Sequence, residues 1–366
     1  MRPWTSLAAL LACSLPRGAR AEGPPPVSAT LAAQLRLGAE LPVGGVAAPA
    51  SLELRRVRVG LRLGALRGRL RGALALNVTP ASPELVDLWV EYRARPQVLL
   101  RVGQTKQPFS AYRLGRFTDL RFVDWALVTR AFGGARHLGV EVHNRGEGGR
   151  WEYSAGVWSG AAMRAAHGRG VADLYAQPVS NPSDLRRYDP PAALRPELTA
   201  RLAYHRAGRV AWDLGVSATL DLAPVVRRDL RVAVAPEASL RAGPVRVALT
   251  GYLGASDLAR AAGLGLSWGA LAELGVTLTR GVSLGARYAA VVRGAALVED
   301  ARRDLSESAA TPVGPDQEHE VGVALDGRLR GSPLSASADA SWLRARASGA
   351  WRDGARLRVQ LQVAVP

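Results

Sequence analysis

Alternation of apolar and polar residues is the feature that most constrains this chain, and it continues to residue 365. It is clearest between residues 262 and 279, where every second residue from Leu264 to Leu278 is apolar. A period of two residues is that of a β-strand with one apolar face. Beyond the amino-terminal segment no run of about eighteen apolar residues occurs, so the sequence excludes helical membrane spans.

The alternation predicts an all-β fold of sixteen strands. The predicted strands cover residues 28–40, 52–64, 66–78, 86–94, 97–106, 136–144, 150–160, 196–206, 209–222, 228–241, 243–255, 262–279, 281–293, 317–330, 333–346 and 352–365. Every second connection is short, and the others include three long ones, 107–135, 161–195 and 294–316. An even number of strands with short periplasmic turns and long external loops is typical of an outer-membrane barrel. We therefore predict an antiparallel transmembrane β-barrel whose two termini both lie on the periplasmic side.

The placement of charged residues indicates which face meets lipid. Mid-strand charges, such as Arg58, Arg101, Asp213 and Arg287, alternate with the apolar residues and so share the other face. Charges in the apolar register lie only near predicted strand ends, and they are Arg55, Lys106, Arg136, Arg206, Arg228, Arg344, Arg346 and Asp353. An Arg or Lys at the bilayer midplane costs ~2–4 kcal/mol on the lipid face. We expect outer-membrane lipid against the apolar face and water against the other.

The long connection at residues 107–135 lies between two of these strands and carries recognisable motifs. In order, the chain reads GQTKQPFS, FTDLRFVDWAL, a Gly133-Gly134 pair, Arg136 and LGVEV. These motifs resemble the phosphate-selective porin O/P family of bacterial outer membranes, with weaker likeness at Arg55–Gly64 and Val86–Tyr92. The resemblance implies that the third external loop folds into the barrel and narrows the channel, that the protein is a homotrimer, and that lysines near the constriction select phosphate. Lys106 is the only lysine in this chain.

The charged residues in and beside this long connection have two interpretations. They are Lys106, Arg113, Arg116, Asp119, Arg121 and Asp124. Some of them could contact permeating anions. Alternatively, pairs of Arg and Asp side chains could pin the loop to the barrel wall. The sequence leaves both open.

The face opposite the apolar one is rich in arginine on strands two and three and on strand sixteen, which barrel closure places beside strand one. The candidate anion pathway comprises Arg56, Arg58, Arg62, Arg69, Arg71, Arg101, Arg356 and Arg358. Two cations two residues apart on a strand are separated by about 6.8 Å and repel by about 2.4 kcal/mol at an effective dielectric of 20. Such a wall needs water and anions beside it, which a wide barrel supplies. It either attracts anions or is an ordinary wetted lumen whose arginines pair with Asp87, Glu91 or Glu141.

The amino-terminal residues 1–21 fit a secretory signal peptide that precedes the barrel, residues 22–366. Arg2 is followed by an apolar run and by Ala19-Arg20-Ala21 as the cleavage site. A lipoprotein cleavage box ending at Cys13 is the alternative. Because Cys13 is the only cysteine, cleavage after Ala21 leaves a chain without disulfides or a thiol nucleophile.

Other function classes find little support, and the sequence implies no cofactor. His137 and His143 share a face but lie about 20 Å apart, too far to bind one metal ion. No Ser, His and acidic residue can be grouped into a catalytic set. The net charge is +17, but the charged residues alternate with apolar ones and do not form the patch of basic and aromatic residues that nucleic-acid binding needs. Two hypotheses remain: a passive channel for small anions, or a non-conducting structural or binding barrel plugged by loops 161–195 and 294–316.

Overall fold

The computed structural model is a closed barrel of sixteen antiparallel strands, each paired with its neighbours in sequence, and β1 pairs with β16 to close it. It describes residues 27–41, 50–78, 83–132, 136–158, 196–221, 231–257, 264–296, 316–347 and 349–365. The strands are β1 (Val27–Leu41), β2 (Ser51–Ala65), β3 (Leu70–Val78), β4 (Pro83–Arg95), β5 (Val98–Lys106), β6 (Arg136–His143), β7 (Trp151–Trp158), β8 (Glu197–Arg206), β9 (Val210–Asp221), β10 (Arg231–Ala242), β11 (Val245–Asp257), β12 (Leu264–Thr279), β13 (Val282–Arg293), β14 (Gln317–Arg328), β15 (Leu334–Ala347) and β16 (Ala350–Val365). The predicted all-β barrel of sixteen strands is confirmed. The predicted signal peptide, residues 1–21, lies outside the described residues.

The apolar register faces outward along the strands. On β12, Leu266, Trp268, Leu274 and Leu278 are all exposed, with 43–63% of their surface accessible. The intervening Leu271 is 2% exposed and faces the interior. A barrel whose outer surface is this apolar is stable only in lipid, because water would not solvate it. None of the helices in the described part of the chain is long and apolar enough to cross a membrane.

Aromatic side chains mark the outer face near both ends of the strands. Trp151, Tyr204 and Trp212 form one ring cluster close to the short turns, with centroid separations of 5.0 and 5.4 Å. Trp268 and Trp342 lie towards the other end and are 48% and 42% exposed. Such belts position amphipathic rings at the two membrane interfaces.

Two local irregularities change the predicted register. Gln34 and Leu35 of β1 pair with Arg56 and Leu54 of β2, so Arg55 is an extra, bulged residue in β2. The bulge turns Arg55 inward, where it is 6% exposed, although the sequence placed it on the lipid face. Lys106 and Arg136 were placed there too, but Lys106 contacts the inward loop and Arg136 bonds to Asp87 at 2.9 Å.

The start of β3 is the second correction. Residues Leu66–Gly68 form a 3₁₀ turn, with Leu66 and Arg67 at φ of 51° and 53°. The chain reverses there, and β3 begins at Leu70 instead of residue 66. Arg69 was predicted on the inner wall but lies in this exposed turn at the mouth of the barrel.

Candidate functional site: the lumen and its inward loop

Residues 107–132 leave β5 and lie inside the barrel against its inner wall. The segment contains two short helices, Ala111–Leu114 and Leu127–Phe132, and a 3₁₀ turn, Phe117–Asp119. Its apolar side chains form a buried cluster with small or apolar residues of β10 to β13. The cluster comprises Phe109, Ala126, Leu127, Val128, Ala131, Phe132, Ala233, Ala235, Tyr252, Leu271, Ala289 and Val291. The barrel thus gains an apolar core from the segment that would otherwise expose this surface to water.

Small residues in the wall make room for the loop. A Cβ added to Gly269 would lie 2.3 Å from the Cγ2 atom of Val128 and 2.9 Å from the Ala290 carbonyl oxygen. Phe132 stacks on the Tyr252 ring at a centroid distance of 5.4 Å. The wall and the loop are therefore packed at side-chain contact, with no space for a larger residue at 269.

Carboxylates of the wall accept hydrogen bonds from backbone N–H groups of the loop. The N–H of Ala111 donates to Glu237 at 2.5 Å, that of Val123 to Asp339 at 2.9 Å, and that of Leu127 to Glu320 at 2.8 Å. These three bonds attach the loop to β10, β15 and β14 respectively. They also satisfy N–H groups that have no partner within the short helices.

Each of these carboxylates also pairs with an arginine of the wall. The pairs are Arg201–Glu237 at 2.8 Å, Arg358–Asp339 at 2.7 Å, Arg287–Glu320 at 2.6 Å and Arg356–Glu320 at 2.9 Å. Glu320 and Asp339 are 1% and 2% exposed. Buried charge is tolerated when it is paired and hydrogen-bonded. The arginines and the loop N–H groups together meet this requirement for the carboxylates at which the loop docks.

Tyr112 and Ser110 add neutral attachments. The Tyr112 hydroxyl donates to Glu273 at 3.0 Å, and the hydroxyl oxygens of Ser110 and Tyr252 are 3.0 Å apart. Burial raises the pKa of Tyr112 well above its usual value, so its hydroxyl keeps its proton as a donor.

The loop carboxylate Asp124 faces the basic part of the wall. Its Oδ2 atom accepts from Arg55 at 2.8 Å and lies 3.8 Å from Arg36 and 3.9 Å from Arg358. Sequence reasoning left open whether Asp124 pairs with wall arginines or borders the anion path. The geometry shows pairing, which ties the loop to β1, β2 and β16.

Apart from Arg69, the arginines predicted to line the pathway divide into three groups: those with carboxylate partners, one exposed to water, and two that contact the loop. Arg101, Arg356 and Arg358 are ion-paired, Arg101 with Glu91 at 2.5 Å. Arg71 lies 3.7 Å from both Glu91 and Glu147. Arg62, on the inner register of β2, is exposed to the lumen water. The predicted continuous wall is therefore interrupted by salt bridges.

Arg56 and Arg58 form the third group, and they meet the loop at Phe117. Their guanidinium carbons lie 4.6 and 4.7 Å from the centroid of the Phe117 ring. Arg58 also donates to the Asn77 side chain at 2.8 Å. Cation–π contacts hold both cations against the loop.

The remaining predicted loop residues are dispersed. The Lys106 ammonium donates to the carbonyls of Arg113 and Gly115 at 3.0 and 2.6 Å, which closes the first turn of the loop. Arg113 is buried over the Trp125 ring at 5.1 Å. Arg116 and Asp119 are exposed, and Arg121 reaches Gly275 on β12.

An ionic network lies at the short-turn end of β4 to β7; the sequence named its carboxylates Glu91 and Glu141 as possible arginine partners but not His143 or Arg145. Glu91 and Glu141 are 3% and 1% exposed and share Arg101, while His143 lies 3.1 Å from Glu91. Arg145, in the β6–β7 turn, donates to Glu141 at 2.6 Å. The signal was present in the inward register of these residues, but their pairing needed the strand order. No cluster of residues suited to a metal ion occurs in the described parts of the chain.

Comparison with known proteins finds a porin family model and solved porin structures that resemble this chain. Residues 37–183 match the family model described as phosphate-selective porin O and P. The sequence matches no curated protein closely enough to count as a relative. The anion-selective porin from Comamonas acidovorans superposes with a TM-score of 0.62 at 11% identity, over 93% of this chain and 99% of that one.

Two further solved structures share the fold. The outer membrane channel DcaP of Acinetobacter baumannii gives a TM-score of 0.63 at 10% identity, over 93% of this chain and 97% of its own. OprB of Pseudomonas putida gives 0.61 at 8% identity, over 93% and 94%. At identities this low, the superpositions show a common fold and nothing more.

Proposed function

We propose that this chain is a member of the phosphate-selective porin O and P family, whose model matches residues 37–183, and that it is an outer-membrane channel, not an enzyme, whose lumen selects small anions, phosphate among them. Passage is passive and needs no cofactor. The anion selectivity of the Comamonas acidovorans porin, which shares the fold, supports the proposal.

The observation that carries the proposal is the uneven distribution of charge in the lumen. From Arg55 to Val78 the chain contains no acidic residue, and Arg56, Arg58 and Arg62 occupy the inner face of β2. On β14 and β15, a few strands away across the β1–β16 closure, Glu320 and Asp339 pair with arginines and accept hydrogen bonds from loop N–H groups. Because the stretch from Arg55 to Val78 carries several arginines and no acidic residue, we infer that the potential beside it is positive, and a positive potential in a channel with low-dielectric walls raises the local concentration of anions.

The inward loop contributes by narrowing the water path beside this basic face. Phe117 brings the loop against Arg56 and Arg58, and Thr118 accepts hydrogen bonds from Arg328 and Gln362 at 3.3 and 3.2 Å. We infer that an anion that passes the loop does so beside the β2 arginines. Arginine binds phosphate through two parallel N–H donors, so the presence of a single lysine does not exclude phosphate.

The test is a reversal potential measured across a planar bilayer with a KCl gradient, followed by titration with phosphate. We expect anion selectivity and a chloride current that phosphate reduces. A non-selective or cation-selective channel at low salt would contradict the proposal. A protein that inserts and conducts nothing would favour the plugged-barrel alternative, whose loops 161–195 and 294–316 lie almost entirely outside the described residues.

We also propose that the barrel assembles as a homotrimer, which the family resemblance implies. Native mass spectrometry in detergent measures the number of copies directly. Selectivity and assembly are separate: each lumen is complete within one chain, so a monomer that remains anion-selective would overturn only the trimer.

A further inference from the structure

An apolar groove of about 450 Å³ lies on the outer face of β12 to β16. Its floor is formed by alanines, Ala286, Ala338 and Ala340, and its sides by longer residues such as Leu284 and Leu357. The alanines leave space because neighbouring strands carry Leu and Val in the same outward register. Every side chain of this outward set is apolar, so the groove suits a hydrocarbon chain.

Cross-strand pairing places a polar cluster two outward rows above the groove, with one row between them. Ala286, Val323, Ala340 and Leu357 form one row of paired residues around the outer face. The next outward row contains Tyr288, Val321, Trp342 and Ala355, and the row after it contains His319, Arg344 and Asp353. Successive outward rows are about 6.8 Å apart along the strands. The polar row lies towards the end with the longer connections, which is the external end.

Arg344 is the centre of the polar row. Its guanidinium lies 4.9 Å from the Trp351 ring and 5.9 Å from the Trp342 ring, and the side chain is 43% exposed. Its Nε atom is buried without a hydrogen-bond partner among the described residues. Asp353 Oδ1 lies 3.7 Å from that atom, beyond hydrogen-bonding distance.

His319 and Tyr288 complete the cluster. The Tyr288 hydroxyl and the His319 Nδ1 atom are 2.9 Å apart, and the His319 ring lies 5.6 Å from that of Trp351. The neighbouring Arg346 differs, because Asp316 accepts its Nε at 3.0 Å and its terminal nitrogen at 2.9 Å. Arg344 therefore keeps donor capacity that Arg346 has used.

We propose that the outer face of β13 to β16 binds the phosphorylated glycolipid of the outer leaflet. Its phosphate lies on Arg344, with His319 and Tyr288 beside it, and one acyl chain descends past Trp342 into the groove. The cationic cluster would bind the phosphate of such a lipid, and the apolar groove below it would hold the acyl chain. Cations are costly on the lipid face at the midplane and nearly free at the interface, where Arg344 lies. Two carboxylates lie near this cluster. Asp316 is paired with Arg346, whereas Asp353 lies beside Arg344 and would repel the phosphate.

The first test is native mass spectrometry of the intact protein in detergent, titrated with a bis-phosphorylated glucosamine lipid and with its dephosphorylated form. We expect R344Q to weaken binding of the phosphorylated lipid about tenfold, because a charge-assisted hydrogen bond is lost. R346Q is the matched control on the same strand and should change it little. D353N should strengthen binding, since it removes the carboxylate that lies 3.7 Å from the Arg344 Nε atom.

The second test fills the groove. Ala340→Phe should weaken binding of both lipid forms while leaving the phosphate preference intact. Heat-dependent gel migration of the folded barrel verifies that each variant folds. Equal binding of the two lipid forms, or an unchanged affinity in R344Q, would overturn the proposal. So would a loss of assembled copies in Ala340→Phe, which would show that another copy of the chain covers this face.

Discussion

Phe117 is a single side chain that links the inward loop to the two arginines of β2. Arg56 and Arg58 both lie within 4.7 Å of its ring centroid, and Arg58 is further held by Asn77. The contact with the aromatic ring restricts where each guanidinium group can lie. The ring is therefore a positioning group for the basic face.

We expect Phe117→Leu to keep the loop in place and to reduce anion selectivity. The leucine fills most of the space but provides no ring quadrupole, a difference of about 0.5–2 kcal/mol for each cation. Reversal potentials in a KCl gradient measure the effect. Phe109→Leu is the matched control, since Phe109 packs in the apolar cluster away from the arginines. Equal selectivity in the two variants would show that the ring does not position the cations.

The wall carboxylates are the second residue-scale feature, and Glu320 joins the most partners. It accepts from Leu127, Arg287 and Arg356, and it is 1% exposed. Glu320→Gln removes the charge that both arginines pair with and leaves them buried. Breaking a buried ion pair from one side costs about 3–5 kcal/mol.

We expect E320Q to lower the unfolding free energy of the barrel and to make its single-channel current noisier, because the loop loses one attachment. Urea unfolding in detergent and bilayer recordings measure the two effects. Glu147→Gln provides the control: Glu147 also pairs with arginine but lies in the β6–β7 turn, away from the loop. A quiet channel in E320Q would contradict the attachment role.

At the scale of elements, the loop 107–132 depends on the space left by the wall. Gly269→Val would put branched carbon atoms where Val128 already lies, 2.3 Å from an added Cβ. Overpacking of this kind costs about 1–3 kcal/mol. We expect the loop to be displaced and the single-channel conductance to rise. Gly327→Val, whose Cβ meets only the Ala336 carbonyl at 3.7 Å, is the control that should conduct normally.

Deleting residues 113–130 tests the same loop without steric strain. We expect a higher conductance, because the segment that crosses the lumen is removed, while the wall arginines retain Glu320 and Asp339 as partners. An unchanged conductance with intact folding would show that the loop does not limit the ion path.

The strands could be predicted from sequence because each carries its own period-two signal. For β12 the predicted span, 262–279, differs from the observed Leu264–Thr279 by two residues. The bulge at Arg55 and the turn at Leu66–Gly68 were missed, since a bulge depends on the partner strand and Leu66 is an unusual residue at positive φ.

The loop attachments could not be predicted for a different reason. Leu127 and Glu320 are 193 residues apart, and Ser110 and Tyr252 are 142 apart. A sequence pattern reports which face a residue occupies but not which distant residue faces it across the lumen. The sequence could therefore assign candidate arginines to a register, although Arg69 lies in a turn, while their pairing with carboxylates needed the three-dimensional structure.

At the scale of the whole molecule, the orientation of the barrel follows from the lengths of its connections. One end has short turns, such as residues 96–97, 243–244 and 280–281, and the other end has the long connections. We expect a cysteine introduced at Ala301, in the connection after β13, to react with an impermeant reagent on intact cells. A cysteine at Gly331, in the short β14–β15 turn, should react only after the membrane is opened. The reverse pattern would contradict the predicted topology.

The summed charge of the lumen gives the last prediction, because a selectivity that arises from fixed charge must be screened by salt. The Debye length is about 10 Å at 0.1 M and about 3 Å at 1 M. Replacing Arg56, Arg58 and Arg62 by Gln keeps polar bulk on the inner face and removes three charges. We expect the reversal potential to shift towards cation permeability, and the difference from the wild type to shrink as salt rises.

The matched control removes three charges at the exposed turns, with Arg67, Arg69 and Arg95 replaced by Gln. These residues lie at the mouth, where bulk water already screens them, so their replacement should shift the reversal potential less. If both triple variants shift it equally, the overall charge of the chain determines selectivity, and the inner face of β2 has no special part. If the β2 effect persists undiminished at 1 M salt, a specific binding site determines selectivity instead of the electrostatic field of the lumen.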